Sequence, residues 1–309
     1  MTQPTKGKTT TDAKSAPPPP AIGPIPATPS AQLFPTAALR RAWLAVKRTG
    51  GGAGVDGMTI QKFEADLDAE LTQLRQQLIS GDYAPRPIRR ILVPKPNGGL
   101  RPLALWALRD RLAQRVVYDI IAPSFEVIFL PCSLGFRPGL GVADAIARVH
   151  ALRNENRRWV VDADIKDCFD SIDRTRLLPL VVQRVADPLL LRYIERWLAA
   201  DIFNTADGLP QKAGASQGSV LSPLLANIYL HQVDLILTKQ ALAVVRYADD
   251  LIVCCQRKAE AQHALVAVHD ALHQWGLQLN QAKSCLRHFD TGFPWLGYFF
   301  VREECYQIS

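Results

Sequence analysis

The sequence predicts an α+β fold, and three observations carry that prediction. Apolar residues recur at helical spacing over long stretches, most clearly at Phe63, Leu67, Leu71, Leu74 and Leu78. Short β-branched runs, WVVDADI at 159–165 and the two arms of AVVRYADDLIVCC at 243–255, have strand composition and lie between helical segments. Hydrophobic residues make up 48% of the 309 and charged residues 21%, enough for a substantial core.

Residues 1–35 are rich in Thr, Lys, Ala and Pro, with Pro17 to Pro20 consecutive, and are expected to form a disordered tail. A helix is expected from Thr36 to Lys47, with Leu39, Trp43, Leu44 and Val46 available for its apolar face. The glycine-rich run 50–57 must be a loop, and Thr59 caps a helix reaching Ser80. Strand-like residues 89–94 lead into a turn at Pro96-Asn97-Gly98-Gly99, and 109–129 reads as a helix. The strand at 159–165 is followed by a helix capped near Asp170 or Ser171, then by helices over 177–185 and 188–200. Residues 204–218 read as loop or hairpin, and Ser222-Pro223 as a helix start, since Pro is tolerated in a first turn. After the 243–255 hairpin come a helix from Glu260 to Trp275 and a closing group of short strands.

The net charge is +7, of which +2 belongs to the first 35 residues, so the remainder of the chain carries +5. A basic balance suits a polyanionic partner. The bias is sharpest over 86–115, where Arg86, Arg89, Arg90, Lys95, Arg101, Arg109, Arg111 and Arg115 face one acid, Asp110. A solvated surface usually interleaves both signs, so the run is expected to contact phosphates. The six cysteines form no C-x-x-C pair, which argues against a zinc site and a disulfide framework. No apolar run reaches about 18 residues and no signal-peptide core is visible, so a cytoplasmic protein without membrane contact is expected.

Asp249 and Asp250 are adjacent acids at the tip of the 243–255 hairpin. Alone they could be ordinary turn residues. A second cluster, Asp162 and Asp164, ends an apolar strand, where the period of two puts both on one face. Carboxylates placed so raise one another's pKa unless a cation neutralises them. If the clusters meet on neighbouring strands, they could hold two divalent metals for in-line displacement at phosphorus. Mg²⁺ suits this, because it binds few carboxylates and fills its octahedron with phosphate oxygens and water. Gln217 and Gly218, before the Ser222-Pro223 helix, are candidates for contact with a bound nucleotide or template.

With these motifs in this order, the chain resembles a reverse transcriptase of the bacterial group II intron-like type over about 51–300. The segments that carry the resemblance are GVDGMT, PKPNGGLRPL, SLGFRPGLG, DADIKDCFDSID, SQGSVLSP, RYADD, GLQLNQAKS and WLGYFF. The resemblance implies a right-hand polymerase fold, with fingers over 36–155 and a palm over 156–309 whose antiparallel sheet is backed by helices. It implies a thumb that is absent or vestigial, since the sequence stops just after WLGYFF. It implies RNA-directed DNA synthesis: dNMP added to a DNA primer on an RNA template, from dNTPs, with two Mg²⁺ ions or Mn²⁺ as substitute. Asp164, Asp249 and Asp250 would be the catalytic metal-binding carboxylates, with the Ile165 carbonyl a further ligand and Asp162 structural. Phe169 would be a steric gate against the ribose 2′-hydroxyl, and Lys95 and Arg101 would contact the triphosphate. Gln217 and Gly218 would line the nascent base pair, Lys283 would sit near the leaving pyrophosphate, and Trp295 to Tyr298 would grip the primer. The form of SQGSVLSP argues against diversity-generating retroelement enzymes, and the lack of a C-terminal Val-Thr-Gly motif against retrons. The rival readings are an RNA-binding, maturase-like remnant, and a polymerase in CRISPR spacer acquisition or phage defence whose protein partner supplies the thumb's contacts.

Overall fold

A computed structural model of the chain describes residues 23–94, 100–204, 210–212 and 218–308. Residues 23–35, expected to belong to the tail, are part of the fold. Ile25 forms a parallel bridge to Val185, α1 (Ser30–Leu33) follows, and Leu33 and Phe34 are buried. Helix α2 (Thr36–Thr49) buries Leu39, Ala42, Trp43 and Val46, whereas Leu44, expected on that face, is 65% exposed. The single helix expected from Thr59 to Ser80 is two. Thr59 caps α3 (Ile60–Ala65) by accepting from the Lys62 amide. Asp66 then leaves helical geometry at φ −122°, and α4 (Leu67–Ser80) begins, burying Leu71, Leu74 and Leu78. Trp43 stacks on Phe63 at 5.1 Å and so ties α2 to α3.

Strand β1 (Ile88–Pro94) pairs antiparallel with β2 (Leu100–Leu105), and the intervening turn expected at 96–99 lies outside the described residues. Helix α5 (Leu108–Glu126) packs on α2, α4 and α10 (Ser222–Lys239). Helix α6 (Val142–Asn154) has no counterpart in the sequence expectations. Its entry is fixed by Asp144, whose carboxylate accepts from the Gly141 amide at 2.8 Å.

Strand β3 (Trp159–Asp164) leads into the single turn α7 (Cys168–Ser171), which starts before the expected cap at Asp170. Two helices follow, α8 (Arg174–Val182), capped by Asp173, and α9 (Pro188–Leu198), capped by Asp187. Strands β4 (Asp201–Asn204) and β5 (Pro210–Lys212) extend the first sheet in the order β2-β1-β4-β5, with β4 parallel to β1. After α10 come β6 (Ala243–Tyr247), β7 (Asp250–Cys255) and α11 (Lys258–Gln274). The chain closes with β8 (Cys285–His288), β9 (Phe293–Trp295), β10 (Tyr298–Val301) and β11 (Glu304–Gln307).

The central sheet has the order β6-β7-β3-β8 and is antiparallel throughout. Its period of two sorts its residues between two cores. Val161, Ala163, Leu251 and Val253 join the core with α11 residues such as Ala264 and Val268. Val160, Val245, Ile252 and Cys254 join Ala145, Val149 and Leu152 of α6 and the ring cluster Phe289, Phe293, Trp295 and Phe300. Fully burying each such aliphatic side chain stabilises by roughly 1.5–3 kcal/mol, so both faces resist a one-residue slip that would exchange them. The register that sets the acidic positions is therefore fixed by packing on both sides. All six cysteines are free, four of them buried in the manner of small apolar residues. Among the described residues no helix is long and apolar enough to cross a membrane.

Candidate active site

Asp164, the last residue of β3, is the register partner of Asp250, the first of β7. Directly opposed residues of an antiparallel pair share a face. Asp162, Asp164 and Asp250 therefore continue the row of Val160, Ile252 and Cys254 beyond the end of its core. Asp249 lies in the two-residue turn that joins Tyr247 to Asp250. Ala248, the first residue of that turn, has φ +59°, and positive φ at this position alone is the type II′ pattern of tight hairpins.

The carboxyls respond to one another. Asp249 is raised above the usual carboxylate range by burial and by the charge of Asp164. Although Asp250 has an edge open to solvent, the surrounding protein and the charges of Asp249, Asp164 and Asp162 push it up to about 6. Lys283 opposes both shifts, and its ammonium donates to Asp164 Oδ2 at 3.2 Å. The cluster thus already holds one cation, an ammonium, against its carboxylates. Among the described residues no three His, Cys, Asp or Glu side chains close into a ready cage. Hard oxygen donors that repel one another suit a hard divalent cation.

Residues within the motif GLQLNQAKS (276–284) hold the end of β3. The Asn280 amide donates to Asp164 O at 2.8 Å, the Lys166 amide to Gln278 O at 2.9 Å, and the Asp164 amide to Ser284 Oγ at 3.1 Å. Ile165 and Leu279 form the bridge between the first two of these bonds. In such a non-hydrogen-bonded pair the central carbonyl faces away from the partner segment. The Ile165 carbonyl is thereby directed to the β7 side, where Asp249 and Asp250 stand. Asp162 has a different cation partner, Arg287 on β8 at 3.7 Å.

Of the other expected site residues, Phe169 lies in α7, half-buried, with its ring against Phe136. Gly218 has φ +108°, and a Cβ there would stand 2.4 Å from the Ala104 carbonyl oxygen of β2. Its close approach is to the protein's own backbone in β2. The segment after it is tied to α5, since Gln114 Oε1 accepts from Ser219 Oγ and the Val220 amide. Arg101 stands in β2 opposite Val93. Lys95 and Gln217 lie outside the described residues. Trp295 to Tyr298 form a hairpin turn in which Leu296 and Gly297 both have positive φ, the type I′ pattern.

The basic run over 86–115 is corrected in part. Arg86 pairs with Asp56 and Arg109 with Glu70. Arg115 pairs with Asp119, and Arg111 donates to the Gly50 and Gly52 carbonyls. These four cations are engaged within the protein, by acids and carbonyls that are mostly distant in sequence.

Arg246 was not singled out by the sequence. It is fully buried, yet all five of its guanidinium hydrogens have an acceptor. Asp234, also fully buried, takes two, from Nε at 2.8 Å and Nη2 at 2.5 Å. Asn227 Oδ1 and the Ala248 carbonyl each accept from Nη1 at 2.9 Å, and Ser133 Oγ from Nη2 at 2.7 Å. The bond to Ala248 fixes the turn that carries Asp249. Gly135 seats the same turn, since a Cβ there would stand 2.2 Å from the Ala248 nitrogen. The sequence signal available was an arginine inside an otherwise apolar strand, a position that demands a buried counter-charge.

The chain is similar to several known proteins. Residues 93–300 match the family described as "Reverse transcriptase (RNA-dependent DNA polymerase)". "Protein YkfC" of Escherichia coli (strain K12) is 31% identical over 290 residues, covering 81% of this chain and 76% of that protein. "Group II intron-encoded protein LtrA" of Lactococcus lactis subsp. cremoris is 33% identical over 184 residues, covering 59% of this chain and 31% of that protein. Among solved structures, a chain of the "Partial Cas6-RT-Cas1--Cas2 complex" is 26% identical with a TM-score of 0.47, covering 79% of this chain and 41% of that chain.

Proposed function

The chain belongs to the reverse transcriptase (RNA-dependent DNA polymerase) family, and we propose that it extends a DNA primer along an RNA template, adding dNMP to the 3′-end and releasing pyrophosphate. The observation that carries this reading is the shared rung of Asp164 and Asp250, with Asp249 in the adjoining turn. Two Mg²⁺ ions, held by Asp164, Asp249, Asp250 and the Ile165 carbonyl, would activate the primer hydroxyl and stabilise the leaving group, with Mn²⁺ as a substitute.

The chain's own residues do the rest. Arg246 and Gly135 hold the Asp249 turn in place, so the carboxylates meet the reactants without reorganising. Phe169 stands on the turn after β3, where its ring would crowd a ribose 2′-hydroxyl and favour dNTPs. Lys283 pairs with Asp164 in the free protein and would sit near the leaving pyrophosphate. Lys95 and Arg101 would bind the triphosphate as fixed cations. Gln217 and Gly218 would border the nascent base pair, with Gly218 held against β2. The 295–298 hairpin, built on the ring cluster that packs on the same face of the sheet as the carboxylates, would support the primer end.

The test is extension of a DNA primer on an RNA template in Mg²⁺, comparing wild type with Asp249→Ala. Extension by wild type that vanishes in the variant is expected. A wild-type protein that binds primer–template but never extends it would overturn the reading.

A further inference from the structure

Phe136 is a large apolar side chain that remains 46% exposed. Its backbone lies in the left-handed region at φ +60°, which is uncommon for a bulky residue and tends to occur where the surroundings impose it. Both neighbours are anchored. The Gly135 carbonyl accepts from Asn227 Nδ2 at 2.8 Å, and Gly135 itself lies against the Asp249 turn. Arg137 folds inward onto Glu126 and onto the Leu130 and Ser133 carbonyls. Between these anchors the ring of Phe136 is held outward, and its edge meets Phe169, with centroids 6.5 Å apart and planes at 62°.

Phe169 needs such a support. It sits on α7, a single turn of four residues, and one isolated turn has little stability of its own. Phe169 packs against the core, and its ring meets Phe136.

We infer that Phe136 is a positioning residue for sugar selection. It backs the Phe169 ring and limits how far that ring can yield to a ribose 2′-hydroxyl. Because Gly135 seats the Asp249 turn, the 133–137 loop sets the catalytic carboxylate and the gate from one support. This inference rests on the proposed role of Phe169 as the gate.

The test measures single-nucleotide incorporation with dNTP and with the matching rNTP for wild type, Phe136→Ala, Phe136→Tyr and Phe169→Val. Loss of one edge-to-face ring pair corresponds to roughly a three- to ten-fold change. In Phe136→Ala, dNTP-over-rNTP discrimination should fall by that factor because rNMP incorporation rises, and Phe136→Tyr should restore it. Phe169→Val should lower discrimination further. If Phe169→Val lowers discrimination but Phe136→Ala does not, the inference is overturned and the gate stands. Equal losses with both nucleotides in Phe136→Ala would also overturn it, placing Phe136 on primer or template. If Phe169→Val leaves discrimination intact, the gate reading fails and the inference falls with it. Phe136 is exposed, so the alanine variant should fold, and Phe136→Leu serves as a second variant read in the same way.

Discussion

Replacing Arg246 by Met removes five hydrogen bonds and leaves the Asp234 carboxylate fully buried without its counter-charge. Breaking a buried pair by deleting one partner costs about 3–5 kcal/mol, because the remaining charge is uncompensated. A typical domain is stable by only about 5–15 kcal/mol, so this one change should consume a large part of the margin. Asp234→Leu alone should cost a similar amount by stranding the guanidinium. The double variant Arg246→Met/Asp234→Leu buries no charge and should recover at least about 2 kcal/mol relative to the sum of the singles. Urea unfolding of the four proteins at one pH and salt concentration gives these values directly. The double variant should still extend primers poorly, because no group then holds the Ala248 carbonyl and the Asp249 turn is released. Additive singles, or a cost below about 1 kcal/mol for Arg246→Met, would refute the argument that the pair is a desolvated ion pair.

Two further outcomes follow from the structure. Gly135→Ala places a methyl 2.2 Å from the Ala248 nitrogen, against backbone that cannot move aside cheaply. A displacement of about 1 Å at a catalytic group costs on the order of a hundred-fold in rate, so extension should fall by that factor while primer–template binding persists. Asp110 is 1% exposed, accepts from the Tyr83 hydroxyl and the Arg86 amide, and is raised by burial from 3.8 to about 6. The folded state therefore holds this proton more tightly than the unfolded chain. Its contribution to stability is fully present below about pH 4 and is lost as pH rises through about 6, on the order of 3 kcal/mol in all. Urea midpoints of wild type and Asp110→Asn should diverge across that window, and parallel curves would contradict the shift.

Much of the site was legible in the sequence because strand periodicity is local. The alternation of WVVDAD put Asp162 and Asp164 on one face, and the apolar runs around Ala248-Asp249 marked a hairpin, so only the pairing of the two segments remained open. That pairing depends on β3 lying between β7 and β8, which no local pattern reveals. For the same reason the strand argument could not separate Asp162 from Asp164, which in space have different cation partners, Arg287 on β8 and Lys283. The basic run misled because Glu70 and Asp56, which engage Arg109 and Arg86, are tens of residues away. Helix α6 was missed although Ala145, Val149 and Leu152 have helical spacing, since its face is built on small residues and its start is marked only by Gly141 and Asp144. The split at Asp66 was invisible because the apolar spacing of Phe63, Leu67 and Leu71 runs straight through it.

Under the proposed function, Asp164, Asp249 and Asp250 form the reaction centre and Asp162 stands outside it. The most direct measurement is the rate of single-dNMP incorporation on an RNA template in Mg²⁺ for wild type, Asp164→Asn, Asp249→Asn, Asp250→Asn and Asp162→Asn. The first three variants should lose about two to three orders of magnitude, and Asp162→Asn should stay within about tenfold of wild type. Incorporation at the wild-type rate by Asp164→Asn, or an Asp162→Asn variant as impaired as the others, would contradict it.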